Sequence, residues 1–443
     1  MKKNFIETFT KFNISEQKSN FEEHIGARFY IVLIIWVAWA LTQSLSMLQL
    51  LPSQIVQHLW YIKNSLGALA VFTASILYIR DLRLCSISIF PLLFSSYAIN
   101  NVMLKGPTLS NLPQPLMYLI WSWGLFVVVP VFLSSTKKII IFLRYIFWST
   151  TIILFVGAIW ENTVGITLNP ILTSLMTKNR HIFGFRHPGY VATILISVIL
   201  MGWLLYSLSS NRFERIITLS VSIVGVTALY LTASRTGLAF LMVVIILMVV
   251  KRLNIKSSGY VILSFIILFF LIIFFSVFLF HYPESYQKLN KIFSNRLDIW
   301  ANAFRYTFSV NPYSILWGGE QAISRYTPTI SGVDGRSISS VFGRYRLDSV
   351  YIEMLLMYGV IGLTLFIFIF VRLFQFSIRK QKLLNNKNDK NIYSLAIAVI
   401  VGTLVASFPA SLIPSMGNLI NAALLPVTIA LLYIIKPDVN NPQ

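Results

Sequence analysis

Charge is scarce in this chain, acidic charge scarcer still, and cysteine almost missing. Only 12% of the 443 residues are charged, against roughly 25% in soluble domains, which excludes an ordinary water-facing globule. The single cysteine, Cys85, excludes an intramolecular disulfide and any cysteine-built metal cluster. It reads as a small apolar residue inside a helix. Fifteen acidic residues face 36 basic ones, with no Asp-x-Asp pair and no dense acidic cluster to seat a divalent cation. The period-2 alternation of a membrane barrel is lacking too. A cleavable leader is not expected, because a mixed polar stretch of about 27 residues, too long for a leader, precedes the first apolar run. Within that stretch Phe5, Phe9 and Phe12 lie at helical spacing beside Lys2, Lys3 and Lys11. Either a weak surface-lying helix or a disordered tail fits them.

What is abundant is apolar sequence, 56% of the chain. Runs such as 29–50 and 260–280 approach the ~20 residues of a membrane-crossing helix. Without water in the bilayer core, backbone polar groups must be satisfied within the segment, and helices do this. The expected fold is therefore an all-α polytopic membrane protein of about twelve transmembrane helices. The spans are read at 29–50, 62–79, 84–104, 116–134, 138–159, 188–209, 214–232, 236–250, 258–280, 349–374, 392–408 and 419–435. Residues 1–28 form a cytoplasmic N-terminal segment, 29–435 the transmembrane domain, and 436–443 a cytoplasmic tail. Neither internal repeats nor the paired broken helices of many secondary transporters are visible.

The net charge of +21 would point a soluble protein towards nucleic acid. Here membrane topology accounts for most of it, and no nucleic acid partner is expected. With the N-terminus inside, about 22 Lys and Arg fall on the cytoplasmic side and about 14 outside, as the positive-inside rule requires. The residues that run against the bias are the informative ones. Eight lie in one extracytoplasmic loop, 281–348, between the ninth and tenth spans: Lys288, Lys291, Arg296, Arg305, Arg325, Arg336, Arg344 and Arg346. A loop of this length is either functional or disordered. Its aromatic content (Trp300, Phe304, Tyr306, Phe308, Tyr313, Trp317) favours a folded cap.

Four outward stations could carry chemistry. Gly184-Phe185-Arg186-His187-Pro188-Gly189 breaks the helix before the sixth span and could turn amides and Arg186 towards an anion, unless it is a plain loop-to-helix junction. His181 and His187 have no third ligand nearby and read as interfacial histidines rather than a zinc pair. Ser234-Arg235-Thr236-Gly237 puts an arginine at bilayer depth, where it must snorkel or meet an anion. Arg296 and Trp300 share a helix face, with Arg305 following. The guanidinium of Arg296 suits phosphate or a local pair with Asp298. Asp348 opens the tenth span, where a carboxylate is also a good helix cap. Glu353 follows about 7.5 Å deeper, as an intramembrane acid in need of a partner.

In order and spacing these stations resemble the O-antigen ligase and polysaccharide polymerase family of membrane glycosyltransferases, over roughly residues 60–430. In the ligases the tenth span opens with His, then Asn, Ser or Gln, nine residues, Gly, two residues, and Gly, Thr or Tyr. Here Ser349, Gly359 and Gly362 fit, and Asp348 stands at the His position. The resemblance implies a GT-C-like bundle with the large outer loop between helices 9 and 10. It also implies an undecaprenyl-diphosphate-linked oligosaccharide donor and no cofactor. By position, Arg186, Arg235 and Arg296 would hold the pyrophosphate and Asp348 would be the general base, with Arg305, Tyr351 and Glu353 as further substrate-binding residues. Asp at the His position resembles the polymerases that join capsule or exopolysaccharide repeat units. The leading expectation is such a polymerase, metal-independent and inverting, in the bacterial plasma membrane, its acceptor a second lipid-linked unit and a chain-length regulator an allowed partner. A ligase passing glycan to another acceptor and a flippase for lipid-linked oligosaccharides are the alternatives.

Overall fold

The computed structural model describes residues 25–85, 87–106, 112–164, 181–185, 188–252, 313–318, 349–384, 386–407 and 418–434. Among them the chain is helical throughout, without a strand; one isolated β-bridge joins Leu48 to Phe185. The helices are α1 (Ala27–Leu45), α2 (Ser53–Leu77), α3 (Ile89–Leu104), α4 (Pro113–Phe132), α5 (Thr136–Val164) and α6 (Pro188–Leu208). They continue with α7 (Arg212–Leu231), α8 (Arg235–Arg252), the short α9 (Ser314–Trp317), α10 (Val350–Lys382), α11 (Lys387–Ala406) and α12 (Ile420–Ile434). Seven of them, α1, α4, α5, α6, α7, α10 and α11, are long and apolar enough to cross a membrane. Helices α3, α8 and α12 are apolar but shorter. The expected span 258–280 and the loop 281–348, apart from 313–318, lie outside the described residues.

Hydrophobic burial sets the layout. Helix α12 is apolar on every side, and every residue from Leu425 to Leu432 is buried, as a helix without a polar face requires. It packs on α11, α4, α5 and α6. Around it α6 pairs with α7, α8 with α11, α1 with α2, and α3 with both α4 and α10. An aromatic pile joins α1, α4 and α5: Phe132 stacks on Phe29 (centroids 5.2 Å apart) and on Trp36 (5.4 Å).

Among the described residues three helices depart from regular α geometry. Helices α4 and α12 each contain a π-helical turn, at Gly124–Val128 and Ile420–Leu424. The second lies where Trp36 Nε1 donates to Ala422 O (2.6 Å) and Trp121 Nε1 to Asn421 Oδ1 (2.9 Å). A π turn loosens the local ladder, and the indoles take up the acceptors it presents. Helix α10 breaks at Gly359, whose φ of 69° and ψ of −171° are not helical. That left-handed region is open to glycine with no steric penalty.

Polar contacts sort the helix ends into two sets. At one end Arg144 forks onto Glu214 (Nε–Oε1 2.5 Å, Nη2–Oε2 2.6 Å), Arg28 pairs with Asp81 at 3.6 Å, and Asn211 caps α7. There too Lys380 Nζ donates to Leu432 O and Tyr433 O (2.6 and 2.8 Å), closing the carbonyl end of α12 with a cation. The other end gathers the last turns of α1, α3, α5, α7 and α11 with the first turns of α4, α6 and α10.

Candidate functional site

At this second end the structure builds two polar clusters. The first centres on Glu161, in the last turns of α5 and only 8% exposed. Its Oε2 accepts from the amides of Ile182 (3.1 Å) and Gly184 (3.0 Å), and its Oε1 faces His181 Nδ1 at 2.9 Å. A buried carboxylate is tolerated only with such partners. The turn it organises, 181–185, is clamped from other sides as well. His181 N donates to Leu231 O (3.2 Å), and Gln49 N donates to Gly184 O (2.8 Å). Gly184 has a φ of +70°, and a Cβ on it would lie 2.4 Å from Gly157 O. Arg186 and His187 follow this turn directly in the chain, outside the described residues.

Arg235 begins α8 four residues beyond Leu231, so the second arginine station starts beside the same turn. Ser234 Oγ accepts from Gly237 N (3.3 Å), the contact of a helix N-cap, and Arg235 is exposed. Gly237 sits where a Cβ would come 2.8 Å from Leu229 Cδ1 and 3.1 Å from Ala192 Cβ, so its bareness keeps α8 close to α6 and α7.

The second cluster surrounds the start of α10. Ser349 occupies the N-cap position, with φ −145° and ψ 117° and no side-chain cap bond. The cap position thus falls one residue beyond Asp348, which itself lies outside the described residues. Ser349 Oγ is fully buried and has no hydrogen-bond partner among the described residues. Val350 N donates to Ser407 O (3.1 Å) and the Tyr351 hydroxyl to Leu404 O (2.8 Å), tying α10 to α11. Glu353 has the partner its depth demands: Gln114 Nε2 donates to its Oε1 at 2.9 Å and to the Tyr118 hydroxyl at 2.7 Å.

Further along α10, two carbonyls at the helix break receive side-chain donors. Tyr97 OH donates to Tyr358 O (2.9 Å), and Lys105 Nζ reaches Met357 O (3.4 Å) and Trp317 O (2.9 Å). Asn101 Nδ2 also donates to Trp317 O (2.7 Å). Gly362 leaves room first for Tyr358, whose Cβ would lie 2.2 Å from a Cβ there, and then for the Tyr97 ring, with Cε1 at 3.3 Å.

Of the expected catalytic and substrate-binding residues, Arg235, Tyr351 and Glu353 are described, and they share one end of the bundle. Helix α11 is a neighbour of both α8 and α10. Arg186, Arg296, Arg305 and Asp348 lie outside the described residues. Glu161, Gln114, Lys105, Asn101 and Tyr97 were missed in the sequence. Glu161 could have been found as an acid closing an apolar run, which is a functional hypothesis by default. Gln114 lies between Pro113 and Pro115 at a span's start, with no pattern to mark it.

An all-helical chain whose long apolar helices carry their polar contacts at two opposite ends is a multi-pass membrane protein. Residues 220–367, about a third of the chain, match the family model described as O-Antigen ligase. The chain is accordingly consistent with the O-antigen ligase and polymerase family of membrane proteins. The matched stretch runs from α7 into α10 and takes in Arg235, Arg296, Arg305, Asp348, Tyr351 and Glu353. No curated protein matches the chain.

Proposed function

We propose that the protein is a polysaccharide polymerase. It joins undecaprenyl-diphosphate-linked oligosaccharide units at the end of the bundle that carries Arg235 and Glu353, on the outer face of the bacterial plasma membrane. The observation that carries this reading is the O-Antigen ligase match over 220–367; Asp348 at the family's His position turns it from ligase towards polymerase. The distribution of basic residues supports the orientation. Arg28, Arg80, Arg83, Lys137, Lys138, Arg144, Arg212, Arg215 and Lys380 fall at the end opposite the candidate site, as expected of the cytoplasmic side.

The chemistry follows from what is available outside the cell. Energy arrives in the bond between the sugar and its lipid diphosphate. Asp348 takes the proton of the acceptor hydroxyl, the hydroxyl oxygen attacks the anomeric carbon, and the carbon–phosphate-oxygen bond breaks. Undecaprenyl diphosphate leaves with the bonding pair, and displacement from the far side inverts the anomeric centre. Arg186, Arg235 and Arg296 stabilise the charge that develops on the diphosphate. Arg305, Tyr351 and Glu353 are the remaining substrate-binding residues, Glu353 held by Gln114. The scarcity of acidic residues makes this a metal-independent scheme, so EDTA is expected to leave the rate unchanged.

The test uses purified protein in liposomes supplied with lipid-linked repeat units alone. A ladder of products differing by one unit is expected. Transfer only to an added, chemically different acceptor would identify a ligase. Movement of the lipid-linked unit between leaflets without a new glycosidic bond would identify a flippase.

A further inference from the structure

The short helix α9 belongs to the outer loop, yet it is built like a segment inside a membrane. It crosses α10 at two facing glycines. A Cβ on Gly318 would lie 2.1 Å from Met357 O, and one on Gly359 would lie 2.1 Å from Leu316 O. Both have positive φ, 79° and 69°. The crossing lies about 15 Å along α10 from Ser349 at 1.5 Å per residue, level with the last turn of the apolar helix α3, whose Asn101 and Lys105 reach it.

Two independent features fix what surrounds it. Breaking a helix and ending another leave carbonyls without helical partners, and an exposed loop would leave those to water. Here Trp317 O, Met357 O and Tyr358 O each receive a protein donor, from Asn101, Lys105 or Tyr97. Irregular backbone at membrane depth is tolerated only when the protein satisfies it in this way. The outer side of the segment is apolar. Tyr313 (75% exposed), Ile315, Leu316 and Trp317 (53%) all stand open. The patch continues into Leu104 (87% exposed), next to Lys105, and Val360, next to Gly359, on helices α3 and α10. Lys105, at the end of α3, spends its ammonium on backbone carbonyls while its apolar stem stays with the helix.

We infer that residues 313–318 are a re-entrant element of the outer loop, docked on the Gly359 break and facing the acyl chains of the bilayer. Asn101 and Lys105 are its pins. The occupant of this face is bilayer lipid, because the patch adjoins the exposed apolar residues Leu104 of α3 and Val360 of α10, of which α10 is long and apolar enough to cross a membrane, and carries Trp and Tyr, the aromatic residues of membrane interfaces. The pinned segment fixes one point of the outer loop between about one and two helical turns below Glu353. The inference does not depend on the proposed reaction and would hold for a ligase or a flippase.

The test places a nitroxide at residue 317 of the full chain (C85S with W317C) in liposomes of phosphatidylethanolamine and phosphatidylglycerol. Collision with oxygen, which concentrates in lipid, is compared with collision with a water-soluble nickel chelate. The label at 317 should favour oxygen, as a lipid-facing label in L104C does, and unlike D81C at an exposed turn. I315C serves the same purpose if W317C does not fold. In the K105M background the label should gain mobility and chelate access, and K105R should restore the original spectrum. Chelate-dominated collision at both 317 and 315, or a spectrum that K105M leaves unchanged, overturns the inference. Absence of a product ladder would remove the polymerase reading and leave this one standing.

Discussion

At the scale of single residues, the chemistry at the candidate end depends on side chains held by a few strong contacts. Glu161 is the acceptor for three groups at once. Glu161→Ala orphans two buried amides at about 1–3 kcal/mol each. Thermal unfolding in detergent should show a clear loss of stability, smaller for Glu161→Gln, which keeps one acceptor oxygen. An Ala variant melting with the wild type would show that the turn 181–185 is held by something else. Gln114→Leu keeps volume but takes the donor from Glu353. A hydrogen bond to a charged group is worth roughly 1.5–3 kcal/mol, so the transfer rate should fall about 10–100-fold if Glu353 works as a carboxylate. An unchanged rate would remove Glu353 from the site. Residue-level legibility was uneven. Arg235 and Glu353 stood out because charge is costly in an apolar run. Gln114, Asn101 and Tyr97 carry no such cost, and only the packing of distant helices reveals what they hold.

At the scale of elements, the glycines sort by what a side chain would meet. Gly359→Ala combines a left-handed φ with a backbone carbonyl in the way, and should sharply reduce the yield of folded protein. Gly402→Ala meets only the side chains of Val244 and Phe240, at 3.0 and 3.1 Å, which can give way; it should fold and retain activity. Monodispersity on size exclusion and melting temperature compare the two, and equal behaviour would mean the α9–α10 crossing is dispensable. Helices were the most legible part of the sequence, since apolar length alone specifies them. Their interruptions were not. Each π turn has a proline two residues after it, Pro130 in α4 and Pro426 in α12, which removes an N–H from the helical ladder, but the indoles that serve the second come from Trp36 and Trp121, far away in sequence. The break at Gly359 lay within the glycine spacing already noted, but spacing alone gives no backbone angle.

At the scale of the whole molecule, two ends with different contents separate binding from anchoring. The end rich in Lys and Arg carries a forked ion pair and a lysine-capped helix end; the other carries the buried carboxylate of Glu161 and a donor-lined break. An impermeant thiol reagent checks the orientation on intact cells: D81C in a C85S background should stay unlabelled until the membrane is opened. Labelling from outside would invert the bundle and place the candidate site in the cytoplasm. The expected orientation comes from the charge bias alone, because topology is written in loop composition rather than in packing.

The central claim, that lipid-linked glycan is polymerised at this end with Asp348 as base and Arg235 on the diphosphate, meets its most direct test in one comparison. Wild type, Asp348→Asn and Arg235→Ala are each incubated with lipid-linked repeat units, and product length is read on a gel. A ladder in the wild type with loss of about 10²–10⁴-fold in rate for Asp348→Asn, the usual contribution of a general base, and a comparably severe loss for Arg235→Ala, is the expected result. Ladders of undiminished rate and length in both variants would contradict it.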